Sequence, residues 1–319
     1  MKRIQLENRT DLKKEIPLST PYCIFIDPSS ACNFKCVFCM NKDIKHPTTM
    51  PFHIYRNIID GLEGFPNPVK TIRLYGFGEP LFNRNFCDMV KYAKDSNKVL
   101  NVDTTTNGSL LNSKYIKNII ESGIDRINIS IEAMSDEGYK AITGKSVNFK
   151  SIISSITELY AAKKHTTIFV KINGDYLSPE EQIKFKATFK PISDGCDIEH
   201  TMGCWRDTTV NANNTVGIYG QPLQNVQVCP YVFYSFQVHA DGDVSACFLD
   251  WNKKLIIGNV RETSLIELWN IRMQVLQLAM LHKQRNKIKA CRNCQQLVAG
   301  MPVDLDNDTT DILNRWCKE

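Results

Sequence analysis

Three cysteines, Cys32, Cys36 and Cys39, stand close together in the spacing C-x3-C-x2-C. Three thiolates on one short loop can bind an inorganic centre and leave one of its coordination positions open. An iron–sulfur cluster needs such a position if it is to bind a reactant as well as carry electrons. The alternatives are a partial zinc site or three thiols with unrelated roles. Zinc sites usually close with four ligands, and no His or further Cys is near enough in the sequence to supply the fourth.

A second group of thiols lies in the last third of the chain, at Cys229, Cys247, Cys291 and Cys294. The first precedes a predicted strand, the second ends the next strand, and the last two form a C-x2-C pair after a helix. This arrangement is a common way to bring four thiols around one centre, and either zinc or a [4Fe–4S] cluster fits it. Four unrelated buried cysteines are the weaker alternative, because all four flank turns or element ends.

Composition limits the class of protein. The chain has 319 residues, 12 cysteines and a formal net charge of +5, without a long apolar run or a low-complexity tract. The charged N-terminus has no apolar signal segment, so we expect a cytoplasmic protein with reduced thiols and no membrane contact. Twelve cysteines then indicate metal or redox chemistry. The densest basic run, 282–289, belongs to a predicted helix end, so we expect no nucleic-acid partner.

Strands and helices alternate along the first two thirds of the chain, which predicts a parallel α/β fold. The helices between the strands carry amphipathic patterns, and one starts at Ser178-Pro179 with a capping box. The predicted strands are Tyr22–Asp27, Val69–Tyr75, Val99–Thr105, Ile124–Ile131, Thr167–Ile172 and Cys196–Thr201.

The polar segments that follow these strands should meet. They are the cysteine loop, the turn 76–80, and the segments 106–108, 130–132 and 171–173. Since the carboxyl ends of parallel strands share one face, we expect all five to converge there around a ligand. The pattern itself leaves open whether the sheet is doubly wound or closes into a partial or full barrel.

The pattern changes after a polar stretch rich in Asn, Thr and Gly. A predicted hairpin, a possible third strand and a helix opened by a capping box at Ser264 form a small α+β unit. The predicted organisation is an N-terminal arm (1–20), an α/β domain (21–206), a linker (207–227), the α+β domain (228–300) and an acidic tail (301–319).

With both groups of thiols in view, residues 20–300 resemble a radical S-adenosylmethionine (SAM) enzyme with a C-terminal Twitch, or shortened SPASM, domain. The cysteine triplet is followed by Gly78-Glu79-Pro80, which resembles the Gly-Gly-Glu-Pro turn of that superfamily, although Phe77 replaces its first glycine. A full SPASM domain has more cysteines after the C-x2-C pair. Only Cys317 follows here, so the resemblance supports one auxiliary cluster.

The resemblance implies a partial (β/α)6 barrel with the small cluster-binding domain appended. It implies that Cys32, Cys36 and Cys39 bind a [4Fe–4S] cluster with SAM at the open iron, and that the four later thiols bind an auxiliary [4Fe–4S] cluster. The residues that it assigns to SAM are Phe38 near the adenine, Gly78, Glu79 for the amino group, Ser130 and, more weakly, Lys171, which could instead contact the substrate.

The implied activity is hydrogen abstraction by a 5′-deoxyadenosyl radical, with flavodoxin or ferredoxin as the reductant. The auxiliary spacing resembles that of a Twitch dehydrogenase acting on an aminocyclitol, so we expect two-electron oxidation of a sugar-like small molecule. One alternative is epimerisation, with Cys204 as the hydrogen donor. Others are modification of a ribosomal peptide or, outside enzymes, a non-catalytic iron–sulfur redox protein. Trp205, Arg206 and Asn211 are candidates for the substrate pocket.

Overall fold

The computed structural model describes residues 10–202 and 215–317. Its central feature is a sheet that begins with six parallel strands, as the sequence predicts. They are β1 (Cys23–Ile26), β2 (Val69–Leu74), β3 (Val99–Thr106), β4 (Arg126–Ile131), β5 (Thr167–Asn173) and β6 (Gly195–Glu199). The sheet and the helices between its strands form a partial (β/α)6 barrel with a small domain appended.

The sheet does not stop where the barrel ends. Three strands of the C-terminal region extend it in the order β6-β5-β4-β3-β2-β1-β7-β8-β9. They are β7 (Ser235–Val238), β8 (Asp243–Ser245) and β9 (Ile256–Asn259). β7 runs parallel to β1, pairing Cys23 with Ser235, whereas β8 and β9 are antiparallel. The appended domain, which we call the module, is therefore joined to the barrel by main-chain hydrogen bonds.

The helices pack their apolar stripes against one face of this sheet. Ile24, Ile72, Ile127 and Ile168 are fully buried on that face. The helices are α1 (Leu12–Glu15), α2 (Phe52–Gly61), α3 (Phe86–Asp95), α4 (Ser113–Glu121), α5 (Asp136–Thr143), α6 (Phe149–Ala162), α7 (Pro179–Phe189), α8 (Leu265–Glu267), α9 (Met273–Leu281), α10 (Gln296–Ala299) and α11 (Thr309–Trp316).

The two predicted capping boxes differ in outcome. Ser178 accepts from the Glu181 N–H while the Glu181 carboxylate accepts from the Ser178 N–H, which confirms the first box. Ser264 accepts from the Glu267 N–H, but the Glu267 carboxylate binds Arg272 instead. The single helix predicted from Ser264 is also interrupted by a π-helical turn, Leu268–Arg272, between α8 and α9.

Both ends of the described chain are more ordered than their polar composition suggests. In the predicted arm, α1 buries Leu12, and Ile16 is 1% exposed. In the predicted tail, α11 buries Ile312 and places Trp316 edge-on against Phe233 at 6.4 Å. No helix among the described residues is long and apolar enough to span a membrane.

Candidate functional site

The cysteine loop leaves the carboxyl end of β1 and is held by main-chain hydrogen bonds. The N–H groups of Lys35 and Val37 donate to the carbonyls of Thr143 and Ile142 at the end of α5, each at 2.9 Å. Within the loop, the Cys39 N–H donates to the Cys36 carbonyl. The three thiols are therefore presented by a backbone that the barrel fixes in place.

The three thiols lie close enough to affect one another. Burial raises the pKa of Cys32 to about 11, and it raises the pKa values of Cys36 and Cys39 as well. The Glu132 carboxylate adds to all three shifts, and neighbouring thiols add to those of Cys32 and Cys36. The N–H groups of Phe34 and Asn41 point at the sulfurs of Cys32 and Cys39, both at 3.4 Å. Such donors stabilise thiolates, so the loop suits a positive centre that keeps the sulfurs ionised.

The turn after β2 packs directly on the start of this loop. A Cβ at Gly78 would lie 2.2 Å from the Ser29 carbonyl oxygen and 2.6 Å from that of Ala31, so only glycine fits. The next residue, Glu79, donates its N–H to the Ala31 carbonyl at 2.9 Å. Gly78 thus sets the distance between the turn and the cysteine loop.

The Glu79 carboxylate, 2% exposed, joins two strand ends. Oε1 accepts from the Thr106 hydroxyl at 2.6 Å and the Leu81 N–H at 3.0 Å, and Oε2 accepts from the Asn107 N–H at 2.8 Å. Burial raises its pKa to about 7, against the pull of these donors. One acceptor position of Oε2 is left for another group, such as the amino group expected from the sequence.

Glu132, at the end of β4, is a functional candidate that sequence reasoning did not single out. It is 8% exposed, and its charge raises the pKa values of all three loop thiols. Burial raises its own pKa to about 7, Lys171 acts in the opposite direction, and Glu79 adds to the rise. Glu132 is therefore close enough to interact with both the cysteine loop and Lys171.

The other predicted SAM contacts lie at the same end of the barrel. Ser130 pairs in register with Lys171 across β4 and β5, and Lys171 binds Glu199 at 3.1 Å. The Phe38 ring packs on Tyr176, after β5, with 5.3 Å between centroids. Their assignment to SAM remains a prediction. Cys204, Trp205, Arg206 and Asn211 lie outside the described residues.

The strand face opposite the helices carries polar and charged side chains, which we call the polar chamber. Arg73 lies 3.6 Å from Asp103 and donates to the Tyr75 hydroxyl at 2.9 Å. Its remaining members are Arg126, Asn128, Lys171 and Glu199. In an all-apolar parallel barrel this face would be packed with branched side chains. Here 39% of the Arg73 side chain is exposed, so the face is open to a polar ligand.

The four thiols of the module line one cavity. Cys229, Cys247, Cys291 and Cys294 surround a cavity of about 270 Å³. Burial raises the pKa of Cys229 to about 12 and raises that of Cys247 well above its ordinary value, with the other thiols adding to both shifts. The Leu249 N–H donates to the Cys247 sulfur at 3.4 Å. Cysteines that are far apart in the sequence thus line one cavity, and their role as cluster ligands stays a prediction.

The size of this cavity favours a cluster over a single zinc ion. The cavity also extends past Phe248, Trp251 and Leu276, so it has room for a group much larger than one water or one metal ion. The donors, all thiols, and the space between them fit a [4Fe–4S] cluster.

An aromatic stack separates the cavity from the polar chamber. Phe248, which lines the cavity, lies parallel to Phe25 of β1 with 4.6 Å between centroids. The Arg73 guanidinium lies over the Phe25 ring at 5.4 Å. The two sites are therefore separated by two stacked rings.

Comparison with protein families matches both parts of the chain. The model described as "Radical SAM superfamily" matches residues 26–185, which is half of the chain. The model described as "Iron-sulfur cluster-binding domain", SPASM, matches residues 229–295. The first match contains the cysteine loop and Glu79, and the second contains all four module thiols.

Individual relatives agree with these matches. GTP 3′,8-cyclase of Staphylococcus epidermidis is 31% identical over 141 residues, which are 41% of this chain and 40% of the cyclase. The chain thus spans about two fifths of that relative. BtrN, solved in complex with AdoMet and 2-DOIA, has a TM-score of 0.54 at 19% identity over 86% of this chain and 92% of its own. Streptococcus suis SuiB bound to S-adenosylmethionine has a TM-score of 0.63 at 14% identity, over 89% and 74%.

Proposed function

This chain belongs to the radical SAM superfamily, and we propose that it removes a hydrogen atom from a sugar-like or aminocyclitol molecule and oxidises it by two electrons. Its cofactors are SAM and [4Fe–4S] clusters, one in the barrel and one in the module. When bound, they supply a 5′-deoxyadenosyl radical from SAM and an acceptor for the second electron of the substrate. The chain's own residues bind, orient and enclose the reactants.

In this proposal the cysteine loop holds the first cluster by Cys32, Cys36 and Cys39. Gly78 keeps the neighbouring turn against that loop, and Glu79 ties the turn to the end of β3. A rigid frame matters because the radical must form within reach of one C–H bond of the substrate. Ser130, Phe38 and Lys171 are proposed to orient SAM, with Glu132 beside them.

The observation that carries the oxidative outcome is the stack of Phe25 on Phe248. It puts a four-thiol site next to the polar chamber, so an electron acceptor would lie close to the substrate. A superfamily enzyme that returns the hydrogen atom to its substrate has no need of such an acceptor. The charged groups of the chamber, among them Arg73, Asp103 and Lys171, favour a small substrate with several polar groups.

Two comparisons bear on the substrate class. BtrN, with 2-DOIA in its structure, is similar over most of both chains, which supports a small-molecule substrate. SuiB has also been solved bound to its precursor peptide SuiA, which keeps peptide modification as the second candidate. Epimerisation would need a hydrogen donor such as Cys204.

The first test asks whether the chain cleaves SAM. The reconstituted protein, with SAM and a strong reductant, is expected to release 5′-deoxyadenosine, and Cys36→Ala is expected to abolish the release. Cys87→Ala, a thiol on α3, is the matched control and should retain it. Equal product from the Cys36 variant would refute the enzyme assignment.

The second test determines the reaction. Aminocyclitols, amino sugars and GTP are incubated with the enzyme and SAM in deuterated water. A product two mass units lighter than its substrate supports dehydrogenation. Uptake of one solvent deuterium with unchanged connectivity would instead establish epimerisation. Turnover of GTP, with no turnover of the aminocyclitols and amino sugars, would contradict the sugar-like substrate class.

A further inference from the structure

An open groove lies on the outer side of the cysteine loop, away from the polar chamber. Its volume is about 620 Å³, and Cys32, Asn33 and Lys35 of the loop form one wall. Lys145 and the first turn of α6 form the opposite wall. Cys32 is exposed there, whereas Cys36 is buried. The groove therefore gives a large partner access to the exposed thiol of the cluster site.

The lining of the groove is positive. No Asp or Glu is present among the described residues that line it, while Lys35 and Lys145 are. Farther along the loop, Lys42 lies close enough to Cys39 to favour its thiolate. The loop carries three lysines from 32 to 46 against one acid, Asp43. At the same wall the amino end of α6 adds a positive dipole, which the Asp136 carboxylate partly offsets by accepting from the Phe149 N–H at 2.8 Å.

We propose that this groove is the docking site of an acidic electron-transfer protein of the flavodoxin or ferredoxin class. The proposal rests on the proposed function, because such a reductant is needed only if the loop holds a cluster. The reduced carrier loses one electron and the cluster gains it, without bond formation or proton transfer. Charge complementarity selects this occupant, since opposite charges steer short-lived encounters between redox partners.

The polar lining of the groove suits a transient partner. Ser109, Ser146, Asn148 and Ser151 line the groove together with the two lysines. Weak redox complexes bury less surface than stable ones and stay wet, so affinity comes mainly from charge and falls as salt is added. A second copy of this chain, itself of net charge +5, would be repelled by the groove.

The test measures bleaching of the cluster by stopped-flow absorbance, with flavodoxin hydroquinone as the reductant. The double variant Lys35→Glu/Lys145→Glu is expected to lower the second-order rate constant at least about 10-fold at low salt and to remove its salt dependence. The single variant Lys145→Glu, outside the cysteine loop, should show an intermediate loss. The matched control, Lys164→Glu/Lys190→Glu, changes two exposed lysines beyond the groove and should leave the rate constant unchanged.

Two further measurements separate docking from damage to the site. Reduction by a small cationic viologen should be unchanged or faster in the double variant, which shows that its cluster is intact. Flavodoxin binding, followed by flavin fluorescence without turnover, should weaken at least 10-fold. Equal flavodoxin rates and affinities in the wild type and the double variant would overturn the docking site. Absence of SAM cleavage in a wild type that flavodoxin still reduces would instead refute the proposed function alone.

Discussion

The cysteine loop of the barrel and the four-thiol cavity of the module hold their sulfurs in different ways. The cysteine loop carries its three thiols close together in the sequence, and Cys32 is exposed to solvent. The thiols of the cavity come from three separate segments, 229, 247 and 291–294, and all four are partly buried. The cysteine loop is a local motif on a barrel that other contacts stabilise. The four-thiol cavity forms only when segments distant in the sequence have folded together.

This difference predicts different consequences of losing a thiol. A cysteine ligand on the loop matters for activity more than for stability, because main-chain pairing of β1 with β2 and β7 already holds the barrel around it. A ligand in the module also cross-links the hairpin to the segment after α9. Binding free energy at such a site is folding free energy. The predictions below test this contrast, from the largest expected effect to the smallest.

Cys247→Ala is expected to destabilise the protein most, by on the order of 5 kcal/mol, since it opens the cavity and releases the module's cluster. Anaerobic urea unfolding of the reconstituted protein measures this loss. The module transition should separate from that of the barrel.

Cys36→Ala is the matched variant in the other region. It should lower the unfolding free energy by less than about 2 kcal/mol, because the loop keeps its bonds to α5. Equal destabilisation by the two variants would remove the contrast between a local and an assembled site.

Glu79→Gln is expected to cost about 1–3 kcal/mol. The side-chain oxygen of glutamine can replace Oε1. The glutamine NH2 group, however, would face the Asn107 N–H, which in the wild type donates a hydrogen bond to Oε2. The turn and the end of β3 would then separate, and SAM affinity should fall. Urea unfolding and equilibrium dialysis with SAM report the two effects. Glu121→Gln, on the surface of α4, is the control. If Glu79→Gln has no larger effect on stability and SAM affinity than this control, Glu79 does not tie the turn to the end of β3.

A separate, pH-dependent effect concerns Asp27, where β1 meets the module. Burial raises the pKa of Asp27 to about 8, and the nearby Asp241 carboxylate raises it as well. The N–H groups of Phe77 and Ser29 and the charge of Lys253 act in the opposite direction. Between about pH 4 and pH 8, Asp27 is therefore protonated in the folded chain and ionised in the unfolded chain. Unfolding in this pH range releases that proton. This group lowers stability by about 1.4 kcal/mol for each pH unit of rise in that window.

Asp27→Asn should remove that slope. The variant should gain stability relative to the wild type between pH 6 and pH 8, as measured by urea unfolding at each pH. Parallel pH profiles for the two proteins would show that Asp27 is ionised in the fold.

The sequence predicted those features that depend on neighbouring residues. The spacing of Cys32, Cys36 and Cys39, the capping box at Ser178 and the order of six strands are all local patterns. The partners of Glu79 are not local, because Thr106 and Asn107 reach it only when β2 and β3 pair.

Two further features were hidden for related reasons. The pairing of β7 with β1 joins residues more than two hundred positions apart, and no local pattern encodes it. Glu132, by contrast, had a signal that was available. β4 alternates Arg126, Asn128 and Ser130 with isoleucines up to Glu132, which is unusual for a parallel strand buried on both faces and indicates a polar chamber.

The central claim is that the chain holds two clusters, one for each group of thiols. Iron, sulfide and zinc are counted in the reconstituted wild type, in the Cys32/Cys36/Cys39→Ala variant and in the Cys229/Cys247/Cys291/Cys294→Ala variant. We predict about eight irons in the wild type and about four in each variant, without zinc. About four irons and one zinc in the wild type, with the zinc lost only from the module variant, would contradict the auxiliary cluster.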